Sequence, residues 1–416
     1  MAEPLADPTG SIHRRSLTAV FGATFFVRFA FGITLAVFAS YIVGRWTGLS
    51  GSDTAVVGLV SAMAPVGEFT TVLLSGVAAD RYGRFPVLFG GMTGAAVLFA
   101  LVSATRSTVA LGAMNFLFGI ASGAILASSL AVVADRSGAD ERGFEMGRFD
   151  AMNLFGWLGG FAFGIGVGGA IPVSSLPFIF LLGAAALAVG LALAAVLLRG
   201  IPRATLNRGL PVVQVFRSAF RRNVLLVTVP WLVIYMLIGY VLVFLGTAAK
   251  GTGISTTYLA LAIGGVGAVL VLSQPQFGKA ADRYGRMRMM TVGAGGFVAL
   301  LATGILLLQY GAEPVLLGVA GVSAVAALAY APAALAALAD LALALSRATT
   351  MAIYSLTISL GMILGLIVST QLFDALGNLG LDLFFGAIAG ALVLLTAARY
   401  VDARRDAAAR ATTPAQ

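Results

Sequence analysis

Apolar side chains in this chain come in uninterrupted runs long enough to cross a lipid bilayer, and few folds can accommodate that pattern. A helix rises about 1.5 Å per residue, so about 20 residues span a hydrocarbon core of about 30 Å. Twelve runs qualify, at roughly 17–43, 54–79, 86–105, 108–134, 149–170, 177–198, 224–247, 255–277, 289–309, 314–339, 349–373 and 381–398. None alternates apolar and polar residues, which argues against a β-barrel. Only 10% of the residues are charged and 59% are apolar, too few charges to clothe a water-soluble surface. A soluble enzyme is therefore excluded. So is a nucleic-acid-binding protein, despite a net charge of +9. The expected fold class is an all-α membrane protein of twelve transmembrane helices in a lipid bilayer.

Where the charges lie matters more than their sum. An even number of spans puts both termini on one side. Of the 26 basic residues, 22 fall on that side, three (Arg45, Arg106 and Lys250) fall opposite, and Arg28 lies inside a span. Basic residues stay cytoplasmic, so both termini are expected in the cytoplasm and the chain in the cytoplasmic membrane. The first run is too long for a signal-peptide core and lacks a small-residue cleavage pattern, so it reads as a retained helix. The division is a cytoplasmic tail over 1–16, a six-helix bundle over 17–198, a basic linker over 199–223, a second six-helix bundle over 224–398 and a tail over 399–416. The linker carries six arginines and no acid. Its Val212–Phe220 stretch suits an amphipathic helix on the inner membrane surface.

The two halves repeat. Ala-Asp-Arg-Tyr-Gly-Arg occurs at 79–84 and again at 281–286, each time after the second span of its half. Ala134-Asp135 recurs as Ala339-Asp340, and Arg142 as Arg347, at an offset of 205. Gly156 and Gly160 recur as Gly361 and Gly365 at the same offset. Six helices followed by six in the same orientation make a parallel repeat, an arrangement that places a binding site at the midplane between the halves.

On these residues the chain resembles the major facilitator superfamily. That family's signature after the second helix is Gly-x-x-x-Asp-Arg-x-Gly-Arg. Here it reads Gly76, Asp80, Arg81, Gly83, Arg84 and, in the second half, Gly278, Asp282, Arg283, Gly285, Arg286. Gly83 and Gly285 permit a tight turn, and Gly76 and Gly278 a close helix approach. The resemblance implies that Asp80 faces the N-terminus of the eleventh helix near Arg347–Thr350, where a carboxylate is stabilising. It implies that Arg84 pairs with Asp135, that Arg286 pairs with Asp340, and that Asp282 faces the start of the fifth helix beside Arg142. Such contacts would latch the inner side shut and favour the outward-facing state. The plainer alternative is unpaired surface charge left by topology.

Two charged residues, Arg28 and Glu68, lie about 16 Å from the inner ends of neighbouring spans, near mid-bilayer. An intramembrane charge is costly enough that it should face a cavity or a partner. Either Arg28 binds an anionic substrate group and Glu68 carries a coupling proton, or the two form a permanent structural pair. Other residues near mid-depth either join a candidate substrate and proton site or are ordinary packing and interface residues. Trp231 and Tyr235 share one face of a helix, as do Asn153 and Trp157. Tyr330 precedes Pro332, which frees a backbone carbonyl. Asn115 stands where proton-coupled drug exporters of the family carry an arginine, and Gly160-Phe161 where they carry Gly-Pro.

The chain has no cysteine and a single histidine, His13, outside the spans. With no Ser/His pair at depth and no metal cluster, no catalytic residue, metal site or cofactor is expected. With no nucleotide-binding loop, ATP is not the direct energy source. The expected function is proton-coupled secondary transport of a small organic solute by a monomer, leaning to efflux of amphipathic compounds. An organic-anion transporter using Arg28 is the alternative, and a membrane-embedded enzyme a remote one.

Overall fold

The computed structural model describes residues 11–45, 54–105, 107–199, 220–251, 256–310, 313–342 and 347–412, with positions 213 and 217 between. The first half comprises α1 (Ser11–Arg45), α2 (Thr54–Tyr82), α3 (Arg84–Ala104), α4 (Thr108–Arg136), α5 (Arg142–Ala170) and α6 (Leu176–Leu197). The second comprises α7 (Arg222–Gly251), α8 (Thr256–Tyr284), α9 (Arg286–Tyr310), α10 (Pro314–Ala327), α11 (Tyr330–Leu341), α12 (Arg347–Leu376) and α13 (Asn378–Thr412). Among the described residues ten helices, with α10 and α11 taken as one crossing, are long and apolar enough to cross a membrane. The helices α7 and α8, of 30 and 29 residues, bring the crossings to twelve. In lipid every backbone polar group must be satisfied within the chain, which helices do internally.

Burial is arranged for lipid rather than water. Val97, Leu101, Val189, Val322 and Leu394 are exposed on the outer faces of their helices, while Thr24, Ser122, Ser355 and Glu68 are buried among the helices.

The helices differ from the apolar runs in three places. The tenth run is one span, and within it the helix breaks at Leu328–Ala329 into α10 and α11. Pro332 explains this: it has no N–H for the Leu328 carbonyl, and its ring crowds that carbonyl. Leu328 and Ala329 instead turn tightly, Ala329 N–H donating to Ala326 O at 3.1 Å. The helix α1 begins at Ser11, inside the stretch read as a tail, and α13 runs to Thr412, beyond the expected boundary at 398. Both ends carry polar residues that a hydropathy reading excludes, although a helix can continue past the lipid core. The first ten residues, most of the 199–223 linker with its 212–220 segment, and the last four residues lie outside the described residues.

The sharp turns fall where the repeated motif has glycine. Gly83 and Gly285 take φ of 98° and 96°, a left-handed conformation that other residues rarely adopt, and they separate α2 from α3 and α8 from α9.

Within each half, glycines bring helices together backbone to backbone. A β-carbon on Gly160 of α5 would stand 2.0 Å from the Phe29 carbonyl oxygen of α1, and one on Gly156 would stand 2.4 Å from that of Phe25. The second half repeats the contact between α12 and α7, with Gly365 against the Met236 oxygen at 2.0 Å and Gly361 against that of Leu232 at 2.5 Å. By this pairing Phe25 and Phe29 match Leu232 and Met236, so Arg28 of α1 matches Tyr235 of α7.

Between the halves, α2 packs on α12 and α5 on α8. The second crossing of each half thus meets the fifth crossing of the other.

A Gly160→Ala substitution should therefore force α1 and α5 apart and destabilise the protein by about 1–3 kcal/mol, as overpacking does. Gly94→Ala in α3, where an added β-carbon meets nothing within 4 Å, should leave thermal unfolding of the purified protein unchanged or slightly raised.

Candidate functional site

Two polar clusters sit on the interface between the halves. One lies at the end of the bundle that carries the repeated motif. Asp80, at the last turn of α2, points at the first turn of α12. Its carboxylate accepts from Ala348 N–H at 3.1 Å, Thr349 N–H at 3.0 Å and the Thr349 hydroxyl at 2.9 Å. A helix N-terminus presents unpaired N–H groups and positive potential, so this contact is worth about 0.3–1 kcal/mol when exposed and up to about 2 kcal/mol when partly buried. Arg84 bridges Asp80 at 3.2 Å and Asp135 at 3.1 Å, and Arg347 of α12 reaches the same Asp135 at 2.8 Å.

The second half mirrors this. Asp282 accepts from Gly143 N–H at 2.8 Å and Phe144 N–H at 2.9 Å, at the start of α5. Arg286 pairs with Asp282 at 2.7 Å and also with Asp340, which Arg142 contacts in turn. Gly76 and Gly278 permit both approaches. A β-carbon on Gly278 would lie 2.1 Å from the Gly143 oxygen, and one on Gly76 would lie 2.7 Å from Thr349 Cα. Arg81 and Arg283, read as part of the same cluster, do not join it. Both are exposed, and the Arg283 guanidinium lies 5.4 Å from the centre of the Tyr284 ring. Each immediately follows its aspartate on the helix, so it projects to a different face.

The other cluster surrounds a cavity midway along the bundle. Its polar lining is Arg28, Glu68, Asn153 and Ser359. Phe31, Trp157, Tyr235 and Met362 supply much of its apolar wall. Arg28 Nη2 stands 3.8 Å from Glu68 Oε1, and both side chains are nearly fully buried. Arg28 Nε donates to Asn153 Oδ1 at 2.8 Å, and its guanidinium lies 5.6 Å from the centre of the Phe31 ring. Glu68 accepts from Ser122 of α4 at 3.1 Å and from Ser355 of α12 at 2.6 Å. The cavity is thus charged at one place and apolar around it, and its carboxylate bonds to both halves.

Three of the residues read as lining this site lie elsewhere. Asn115 donates to the Val60 carbonyl at 2.8 Å and borders a separate apolar void with Phe99 and Phe118. Tyr330, at the start of α11, is buried and donates to the Val227 carbonyl at 3.2 Å. Trp231 is buried behind the wall, its ring centroid 4.7 Å from Tyr354 and 6.4 Å from Tyr235. Each is at the right depth but on a face turned into its own half, which depth alone does not reveal.

A further ionisable residue, Asp150, was not expected here. It is 3% exposed and accepts from the Tyr354 hydroxyl at 3.2 Å. The apolar run begins at 149, so hydropathy places Asp150 at a membrane edge. The helix begins at Arg142, which puts Asp150 about 12 Å along it. The repeat carried the missing signal: Arg142 matches Arg347, and eight residues beyond each come Asp150 and Ser355.

Fold and clusters together define a polytopic membrane transporter of two repeated six-span halves, closed at its motif-bearing end. The sequence model of the Major Facilitator Superfamily matches residues 20–269 and, overlapping, 232–415, and the chain belongs to that family. Solved structures agree on the fold. The crystal structure of the human organic anion transporter MFSD10 (TETRAN) superposes with a TM-score of 0.69 at 19% identity, over 92% of this chain and 98% of that one. The proton:xylose symporter XylE, bound to 6-bromo-6-deoxy-D-glucose, superposes with a TM-score of 0.72 at 16% identity, over 93% and 95%.

Replacing Arg28 with Met should destabilise the protein by about 3–5 kcal/mol, because it strands a buried carboxylate. Adding Glu68→Met should restore part of that loss. Thermal unfolding of the two variants beside the wild type checks the coupling.

Proposed function

We propose that this protein moves a small amphipathic organic solute bearing an anionic group, in exchange or in company with protons, by alternating access. The observation that carries this reading is the Arg28–Glu68 pair at 3.8 Å, facing an otherwise largely apolar cavity between the halves. An anionic group entering the cavity competes with Glu68 for Arg28. Protonating Glu68 removes that competition, so one proton and one solute anion are linked at one guanidinium. The apolar wall holds the remainder of the solute.

The orientation that supports this cycle puts both termini and the motif-bearing end in the cytoplasm, where 22 of the basic residues lie. The Asp80 and Asp282 contacts then latch the cytoplasmic side. Solute and proton reach the cavity from outside while the latches hold, and from inside once they part. Glu68 is positioned to pass its state to this interface, because Ser355 belongs to the same helix whose first turn Asp80 holds.

A second reading is transport of lipophilic cations or neutral amphiphiles, with Glu68 as the polar contact. The aromatic wall of Phe31, Trp157 and Tyr235 favours it.

Ligand-induced thermal stabilisation of the purified protein separates the two. Arylcarboxylates, lipophilic cations and neutral amphiphiles would be tested at two pH values. A ligand at 100 times its Kd adds about 2.7 kcal/mol, a readable shift. Stabilisation by the carboxylates that disappears in Arg28→Ala is the expected outcome. Stabilisation by cations alone, lost in Glu68→Gln, would replace the first reading with the second.

The latch has its own test. The chain contains no cysteine, so a cysteine placed at Ser359 in the cavity reports alone. Asp80→Asn should raise its labelling by an impermeant maleimide in inside-out vesicles about 5–30-fold, the population change that about 1–2 kcal/mol produces. An unchanged rate would mean the Asp80 contact does not hold that side shut.

A further inference from the structure

The cavity network contains more acid than base. Arg28 is its one guanidinium. Two carboxylates act on it: Glu68 at 3.8 Å, and Asp150 of α5. Asn153 lies one turn beyond Asp150 on the same face of α5 and accepts from Arg28 Nε at 2.8 Å. Asp150 does not border the cavity. Its carboxylate accepts from the Tyr354 hydroxyl at 3.2 Å, and Tyr235 stands on the cavity wall. The charged and titratable groups facing Asp150 are Arg28 of α1, Tyr235 of α7 and Tyr354 of α12. The buried polar residue near this level of α8 is Gln274, an uncharged amide.

Two buried carboxylates with one buried guanidinium carry a net negative charge. Keeping such a charge out of water costs several kcal/mol, so the group is neutralised instead. One proton on the pair balances it.

We propose that Glu68 and Asp150 are one proton-binding unit, holding a single proton between them beside Arg28. This deepens the proton-coupled reading above and rests on it. The only bond that changes is O–H: the proton leaves one carboxyl oxygen, resides on the other, and is exchanged with water when the cavity is open.

The position of the proton then selects the contact that ties the halves together. With the proton on Asp150, the Ser355 hydroxyl donates to an ionised Glu68. With the proton on Glu68, the Tyr354 hydroxyl donates to an ionised Asp150. Hydrogen bonds to an ionised partner are the stronger ones. Ser355 and Tyr354 are neighbours on α12, so moving one proton shifts the strong contact by one residue along one helix.

Infrared spectroscopy counts neutral carboxyl groups through their C=O stretch. The reference is the purified Glu68→Gln/Asp150→Asn double variant at neutral pH, against which all other carboxyls cancel. Wild type minus this reference should show one neutral carboxyl. Asp150→Asn alone and Glu68→Gln alone should each show none, because the remaining acid is balanced by Arg28. Arg28→Met, referenced to the triple variant, should show two. Asp150→Ser, the residue type at the repeat-matched position, replaces Asp150→Asn if that variant does not fold.

A band that persists undiminished in Asp150→Asn would overturn the shared site and leave Glu68 as a lone proton carrier. A band that persists in Glu68→Gln would overturn it in favour of Asp150 alone. No band in the wild type would overturn both the shared site and proton binding by Glu68.

Discussion

Two carboxylates at helix starts organise the interface between the halves. Asp80 and Asp282 each end the second crossing of one half and cap the first turn of the fifth crossing of the other. A helix start in a membrane protein presents donors that lipid cannot satisfy. A carboxylate at that point satisfies two of them and meets the positive end of the helix dipole. The other features of this end serve that contact. Gly76 and Gly278 let the backbones come close enough, Gly83 and Gly285 turn the chain away immediately afterwards, and Arg84 and Arg286 neutralise the acids from the side.

The midplane obeys the same economy in a drier place. Charge there survives only where it is met by charge or by donors, and the chain supplies both from several directions. Glu68 is met by a guanidinium and two hydroxyls, and Arg28 by an amide and a carboxylate. These partners come from α1, α2, α4, α5 and α12. The carboxylate facing the cavity is therefore held from both halves at once.

Much of this was legible in the sequence, for identifiable reasons. The crossings follow from run length, which lipid thickness sets. The latch partners are what the family resemblance implies, the recurrence of Asp135 and Asp340 at matched positions supports them, and the structure places each beside its arginine. Depth was also readable, and it put Arg28 level with Glu68. What depth cannot give is the direction a side chain faces. Trp231, Tyr330 and Asn115 lie at depths that suit a site and point into their own bundles. Asp150 was lost for the opposite reason, since polar neighbours at Glu145 and Arg148 hid the true start of its helix. Helix starts set by capping and pairing, rather than by hydropathy, are what run-counting misses.

The crossed arrangement of the latches has a consequence for symmetry. Each half carries both the acid and the helix start that receives an acid, so its mating surface is self-complementary. Two identical copies of such a half would fasten to each other through one repeated contact, as the subunits of a twofold dimer do. This chain holds its two matched halves in one polypeptide, where matched positions can differ. They differ at the cavity: Arg28 stands opposite Tyr235, Glu68 opposite Leu270 and Asp150 opposite Ser355. The residues of the latch are common to both halves, and the charged chamber is where the halves differ.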